Sequence, residues 1–183
     1  MNLHFSVKEM STAAIFTAIT AILAQISIPL PFTPVPITFQ IFAVYISAII
    51  LGSRLGTLSQ IIYLLLGAIG IPVFASFTGG LQTIVGPSGG FLISYPIISY
   101  IIGKISEKDL NPIMSILGLI VSLIICYSIG TIQFHFVTNV PIQKSILLCV
   151  APFVPLDTAK IIVAYLAGHK IKQSLLKANL IKC

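Results

Sequence analysis

Charge is what this 183-residue chain has least of: ten basic and four acidic side chains, 8% of its residues, against roughly 25% in soluble domains. So few charges cannot cover a water-facing surface, which excludes an ordinary soluble enzyme. Period-two alternation is missing from the apolar runs, which excludes a transmembrane β-barrel. Internal repeats and low-complexity segments are absent as well. Cysteine is scarce and odd in number: Cys126, Cys149 and Cys183 are widely spaced and read as small apolar fillers, not as a disulfide or metal set. His4, His135 and His169 stand far apart, so the chain offers no metal cluster, no catalytic relay and no implied cofactor. The glycine-rich segment lacks the Lys-Ser/Thr pair of a phosphate loop, so no nucleotide site of its own is expected.

What is present is apolar. Hydrophobic residues make up 57% of the chain and its mean hydropathy is +1.09, so its surroundings are lipid. At about 20 residues per crossing the length holds roughly six helices. Ionisable residues are missing from Ser11 to Ser53, from Leu55 to Gly103, and from Leu110 to Gln143 except for His135. Proline and glycine cut these stretches into membrane lengths. The expected spans are Ser11–Ile28, Ile37–Leu51, Leu55–Ile71, Ser88–Gly103, Pro112–Phe136, and a last one from Ile146 or Pro155 to Gly168, bent at Pro152 and Pro155. The fold expected is therefore all-α: a single membrane domain over residues 1–183 with six transmembrane helices.

The cations orient it. Lys8, Arg54, Lys104, Lys108, Lys170, Lys172, Lys177 and Lys182 fall on one face, which places both termini inside by the positive-inside rule. The net charge of +6 thus reads as a rim against membrane lipid, and no aromatic-basic module for nucleic acid is visible. The first apolar run reads as a retained helix, since it exceeds a signal-peptide core and Glu9 interrupts the positive leader.

The outward turns carry no acid and are rich in Pro, Gly, Ser and Thr. The longest, Pro72 to Gly90, is too apolar to hang in water and too glycine-rich for one helix. It is expected to re-enter the outer membrane half between the third and fourth helices. Gly79, Gly80, Gly86, Gly89 and Gly90 allow close backbone approach to a ligand; the competing reading is a tight connector with Ser88 capping the fourth helix.

Asp157 and Lys160 give the strongest single signal. Three residues apart on the last span, they share a helical face, and buried membrane charge costs several kcal/mol. One reading is a self-neutralised pair; the other is a polar site reached by a ligand. The second, fourth and sixth helices all begin outside, so their amino ends, which carry partial positive charge, converge near this pair. Lys160 can pair with a carboxylate and Asp157 can accept from N–H donors, which suits a solute with an acid at one end and an amide or urea at the other. Phe39, Tyr45, Phe74, Phe77 and Phe91 are candidate walls, and Gln40 either reaches the pocket or bonds a neighbouring helix. His135 reads as an interfacial anchor and Arg54 as a turn anchor. On the first helix Ala13, Thr17, Ala21 and Ala24, with the adjacent pair Ala14 and Ala18, form a flat stripe, either for packing within the bundle or for a partner subunit.

Five segments in this order, Pro34-Val-Pro-Ile-Thr-Phe-Gln40, Leu51-Gly-Ser-Arg-Leu-Gly56, Tyr63-Leu-Leu-Leu-Gly-Ala-Ile-Gly-Ile-Pro-Val73, Gly86-Pro-Ser-Gly-Gly90 and Pro155-Leu-Asp-Thr-Ala-Lys160, resemble the BioY family. That family comprises the biotin-specific substrate-binding subunits (S components) of energy-coupling-factor transporters, and the resemblance covers nearly the whole chain. It implies a protein of the bacterial plasma (inner) membrane that captures biotin from outside. Asp157 and Lys160 would match the family's pair on the last helix, and Thr78, Gly79 and Gly80 its binding loop. The alanine stripe would dock on a transmembrane coupling subunit driven by ATPase subunits. The chain departs from the pattern at Thr78, where an amide side chain is expected, and at Leu92, where some relatives carry a basic residue.

Overall fold

The computed structural model describes residues 5–108 and 112–178; His4, Lys182 and Cys183 lie outside them. Helix α1 (Val7–Gln25) starts ahead of Ser11 because Ser6 and Glu9 form a capping box. The Ser6 hydroxyl accepts the Glu9 N–H at 3.2 Å, and Glu9 Oε2 accepts the Ser6 N–H at 2.7 Å. Two otherwise open donors at the helix start are thereby satisfied.

The chain then turns extended, which corrects the all-helical expectation. Strands β1 (Ser27–Leu30) and β2 (Thr33–Thr38) pair antiparallel, with Ser27 opposite Thr38 and Leu30 opposite Thr33. Pro29, Pro34 and Pro36 keep this segment out of a helix. The pairing is irregular between Ile28 and Leu30, at Pro29, where the ring removes a ladder donor. Two short strands are marginal alone. Here Val35 packs with Phe134, Cys149 and Phe153, so helices support the hairpin.

Helix α2 (Gln40–Ala68) is broken at Gly52, whose φ of 75° and ψ of −175° leave the helical region. The two halves fold back on each other. Gln40 Nε2 donates to Tyr63 Oη at 2.6 Å and Gln60 Nε2 to Ser47 Oγ at 3.1 Å, although Gln40 and Tyr63 would stand about 34 Å apart on a straight helix. Glu107 holds the break, its Oε1 accepting both the Ser53 N–H and hydroxyl at 2.7 Å. Gly103 is packed so closely on Gly52 and Ser53 that a Cβ would collide with their backbone. The spans expected from the sequence leave a three-residue turn here, Gly52 to Arg54; one glycine in the left-handed region suffices.

A short turn at Ala75–Phe77, helix α3 (Leu81–Val85) and helix α4 (Gly89–Glu107) follow. Ser88 stands at the N-cap of α4, but its side chain makes no capping bond, so the capping expectation is corrected. Helix α5 (Pro112–Thr138) is continuous. Helices α6 (Ile142–Cys149) and α7 (Val154–Lys177) meet at 50°, the bend expected from Pro152 and Pro155. Pro155 lies in the first turn of α7, where its missing N–H has no helical partner to lose. With no breaker after Gly168, α7 runs on to Lys177.

The broken α2 is central, packing against α1, α4 and α7, while α4 packs on α5. Tyr45, Tyr63, Phe74, Ile98 and Leu119 are buried in the resulting core. Among the described residues α1, α2, α4 and α5 are long and apolar enough to cross a membrane, and the bent α6–α7 pair is a further candidate. The small-residue stripe on α1 divides. Ala13 and Thr17 are buried, with Thr17 Oγ1 donating to the Ser59 carbonyl at 2.8 Å, so they serve packing within the bundle and are not open to a partner. Ala14 and Ala18 remain exposed and Ala21 is half-buried.

Candidate functional site

The amino ends of α2, α4 and α7 gather around one cavity of about 480 Å³. The hairpin forms one side, through Leu30, Thr33, Val35 and Thr38; the 74–78 segment and the α4 start form another. The ion pair borders it. Lys160 Nζ donates to Asp157 Oδ1 at 2.7 Å and to the Thr38 carbonyl at 2.7 Å. Tyr127 Oη donates to Asp157 Oδ2 at 2.7 Å. Both charged residues are buried, Asp157 at 4% and Lys160 at 8% exposure.

This arrangement settles how two charges persist inside an apolar bundle. Each is paired, each has a second hydrogen-bond partner, and the ammonium also lies 5.6 Å from the centre of the Phe39 ring, a favourable cation–π distance. Capacity remains. A lysine ammonium has three donors and a carboxylate about four acceptor positions, so two donors and two acceptor positions are occupied and a solute bordering the pair has a donor and acceptors to meet. The pair is therefore neutralised within the chain while both residues border the cavity.

Of the residues singled out from sequence, Asp157, Lys160, Gln40, Thr78, Ser88, Phe74 and Phe91 border the cavity. Gln40 does so while bonded to Tyr63 and accepting from Thr38 Oγ1 at 3.1 Å. The loop glycines differ from expectation. Gly79, Gly80, Gly86, Gly89 and Gly90 are not on the cavity wall. A Cβ at Gly79 would come within 2.5 Å of the Ile71 carbonyl and one at Gly86 within 2.8 Å of the Gln82 carbonyl, while one at Gly89 would strike the Ile84 carbonyl. One at Gly90 would reach 2.6 Å from the Ile129 carbonyl. The close approach of these four is to protein backbone, and at Gly90 it lets α4 lie directly on α5; Gly80, with φ 91°, lies against the Gln82 side chain. Tyr45 is sealed in the core and Phe77 is 72% exposed, so neither is a wall. His135 Nδ1 bonds the Val140 carbonyl at 2.6 Å, holding the end of α5, and Arg54 lies over the Phe5 ring at 4.3 Å.

Sequence reading missed Tyr127, Tyr95, Phe153 and the threonines of the hairpin, all of which border the cavity. For Tyr127 a signal existed: a phenol well inside an apolar span must find a partner for its hydroxyl. Cys126 and Cys149 are free thiols and also border the cavity, the first accepting from Ser94 Oγ at 3.1 Å.

A helical membrane bundle with a largely apolar cavity bordered by one satisfied ion pair is a solute-binding membrane protein. The comparisons give the family. The BioY family profile matches residues 1–177. The chain is 40% identical over 166 residues to the biotin transporter BioY of Thermotoga maritima, covering 91% of this chain and 96% of that protein. It is 39% identical over 165 residues to the probable biotin transporter BioY of Pyrococcus horikoshii, covering 90% and 96%. The crystal structure of the S-component for biotin from an ECF-type ABC transporter superposes with a TM-score of 0.84 at 28% identity, over 94% of this chain and 95% of the other. The S component of a bacterial ECF transporter shares the fold, with a TM-score of 0.58 at 20% identity, over 93% and 96%. The chain belongs to the BioY family, whose named relatives are transporters and not enzymes.

Proposed function

We propose that this protein is the biotin-capturing membrane subunit of an energy-coupling-factor uptake system. The chain crosses the bacterial plasma membrane six times, both halves of α2 counting as spans and α6–α7 as one, with both termini inside and the cavity facing out. The observation that carries the reading is the Tyr127–Asp157–Lys160 group on the wall of a cavity of about 480 Å³, within the roughly 300 to 1,000 Å³ usual for small-molecule sites.

The 2.7 Å contact between Lys160 and Asp157 supports one orientation of such a ligand. Two groups in contact cannot grip opposite ends of an extended solute. They suit neighbouring groups at one end: a cyclic urea can present its carbonyl to Lys160 and its N–H to Asp157. The valerate carboxylate then lies toward the Ser88 hydroxyl, which lines the cavity, and toward the amino end of α4; Thr78 and Thr83 line the same cavity but give their hydroxyl protons to the Ala75 and Gly79 carbonyls. The apolar walls from Phe74, Phe91, Leu92 and Tyr95 enclose the thiophane ring and chain. The re-entrant character of the 72–90 segment and the docking of the exposed Ala14 and Ala18 face on a coupling subunit, itself driven by ATPase subunits, belong to the same proposal.

Biotin titrated into purified protein should saturate with one site, and desthiobiotin should compete better than other vitamins because it keeps the urea and the carboxylate. No saturable binding, or an unchanged affinity in both Asp157→Ala and Lys160→Ala, refutes the reading. Uptake in liposomes by this chain alone would instead favour a secondary transporter of a small organic anion, and preference for another vitamin in the panel would reassign the ligand within the same fold.

A further inference from the structure

We propose that Gln25, the last residue of α1, is a positioning residue for the cavity: it holds the turn at Ala75–Phe77 in a strained conformation and so fixes one wall of the site. Gln25 does not border the cavity, whereas Phe74, Ala75, Ser76 and Thr78 do. Its amide is bonded to that segment from both ends. Gln25 Oε1 accepts the Phe77 N–H at 2.8 Å, and the two Nε2 protons are shared among the Ala21 carbonyl of α1 at 3.0 Å, the Phe74 carbonyl at 3.1 Å and the Val73 carbonyl at 3.3 Å. Ser27 Oγ, just beyond α1, adds a hydrogen bond to Ser76 Oγ at 3.0 Å.

The segment needs such a clamp. Ser76 (φ 56°, ψ 36°) and Phe77 (φ 56°) are consecutive non-glycine residues in the left-handed region, a conformation that persists only where surrounding contacts impose it. The Phe77 side chain does not supply them, being 72% exposed. The internal bonds are Phe74 N–H to the Thr78 carbonyl at 2.9 Å, and the Thr78 N–H at 3.3 Å and hydroxyl at 2.9 Å to the Ala75 carbonyl. They close the loop, but they leave the Phe77 N–H to Gln25. A glutamine can satisfy a donor and two acceptors at once because its amide carries both kinds of group; no apolar isostere can. The wall is thus set from a helix that itself never touches the solute.

The inference rests on the biotin-binding reading only for its functional arm, and the test keeps the two apart. Gln25→Met is made in the full chain, and amide hydrogen exchange is followed over residues 73–78 without ligand, alongside biotin affinity and the thermal midpoint. Exchange over 73–78 should speed by about tenfold or more, and biotin affinity should weaken by about tenfold, through loss of preorganisation. Adding Phe77→Asn, which places a residue tolerant of positive φ at the strained position, should recover most of that affinity. Should Gln25→Met yield no folded protein, Gln25→Glu keeps the acceptor for Phe77 and removes both donors, and partial loss is expected. Unchanged exchange over 73–78 overturns the proposal whatever the ligand is. Faster exchange with wild-type affinity overturns it as well. A loss of affinity that tracks a lowered midpoint and is not recovered by Phe77→Asn shows a merely structural glutamine and overturns it too. Wild-type protein that binds no biotin refutes the functional reading, while the exchange result still decides whether Gln25 sets the wall.

Discussion

Helix α7 carries two buried lysines, and their surroundings contrast. Lys160 and Lys172 are 8% and 7% exposed and about 18 Å apart along the helix. Lys160 has an acid beside it and a cavity in front. Lys172 donates to the Ser106 carbonyl at 2.7 Å and to Ser106 Oγ at 3.0 Å, and Ser106 Oγ in turn donates to the Ile49 carbonyl at 2.8 Å. Its ammonium meets neutral acceptors in the last turn of α4, where carbonyls lack helical partners and the helix end is partly negative. Burial alone therefore does not mark a site. Lys172 ties the ends of three helical segments together; Lys160 is paired with an acid on the wall of the cavity.

The contrast breaks most sharply at the acid. Asp157→Ala strands Lys160 among apolar walls, and losing one partner of a buried pair costs about 3–5 kcal/mol. Biotin affinity measured by calorimetry should fall by about a hundredfold or more, through the lost acceptor and the altered pair together. Tyr127→Phe keeps the ring and removes only the hydrogen bond that orients Asp157. For a bond to a charged group, worth about 1.5–3 kcal/mol, the expected loss is about tenfold in affinity with the fold intact. Lys172→Met should do the reverse: biotin affinity within about threefold of wild type, and a stability loss of about 1–3 kcal/mol from the unmade bonds to Ser106, read as an earlier unfolding transition. The smallest effect belongs to Ser88→Ala. Because that hydroxyl caps no helix, stability should stay within about 0.5 kcal/mol, and a modest loss of affinity for biotin over a carboxyl-esterified analogue would place the carboxylate end at this wall.

How much of this was legible in the residues differs between the same two regions. Asp157 stands out because it is an acid between apolar runs, and Lys160 because it stands on the same face. Lys172, by contrast, reads as one of several tail cations, and only packing shows that it turns inward while Lys170 and Lys177 stay exposed. The prolines at 29, 34 and 36 announced a break, yet not its form. A hairpin emerges because Val35 finds Phe134, Cys149 and Phe153, residues more than ninety positions away in sequence. The glycines after Pro72 announced close approach without saying to what; the answer, the backbone of Ile71, Ile84 and Ile129, depends on how helices stack. The small residues of α1 likewise could not reveal which of two faces the bundle takes.

The sequence by itself determined that the chain belongs in lipid, where it breaks, and which rare polar residues must be satisfied, because hydropathy, proline and buried charge act locally and at a price each residue carries with it. Only the tertiary structure decided which of those polar residues border a cavity, that Tyr127 and the Thr38 carbonyl complete the ion pair, and that the loop glycines serve backbone contact. Those outcomes depend on which distant segments come within hydrogen-bonding reach, and that is fixed by packing, not by any one stretch of the chain.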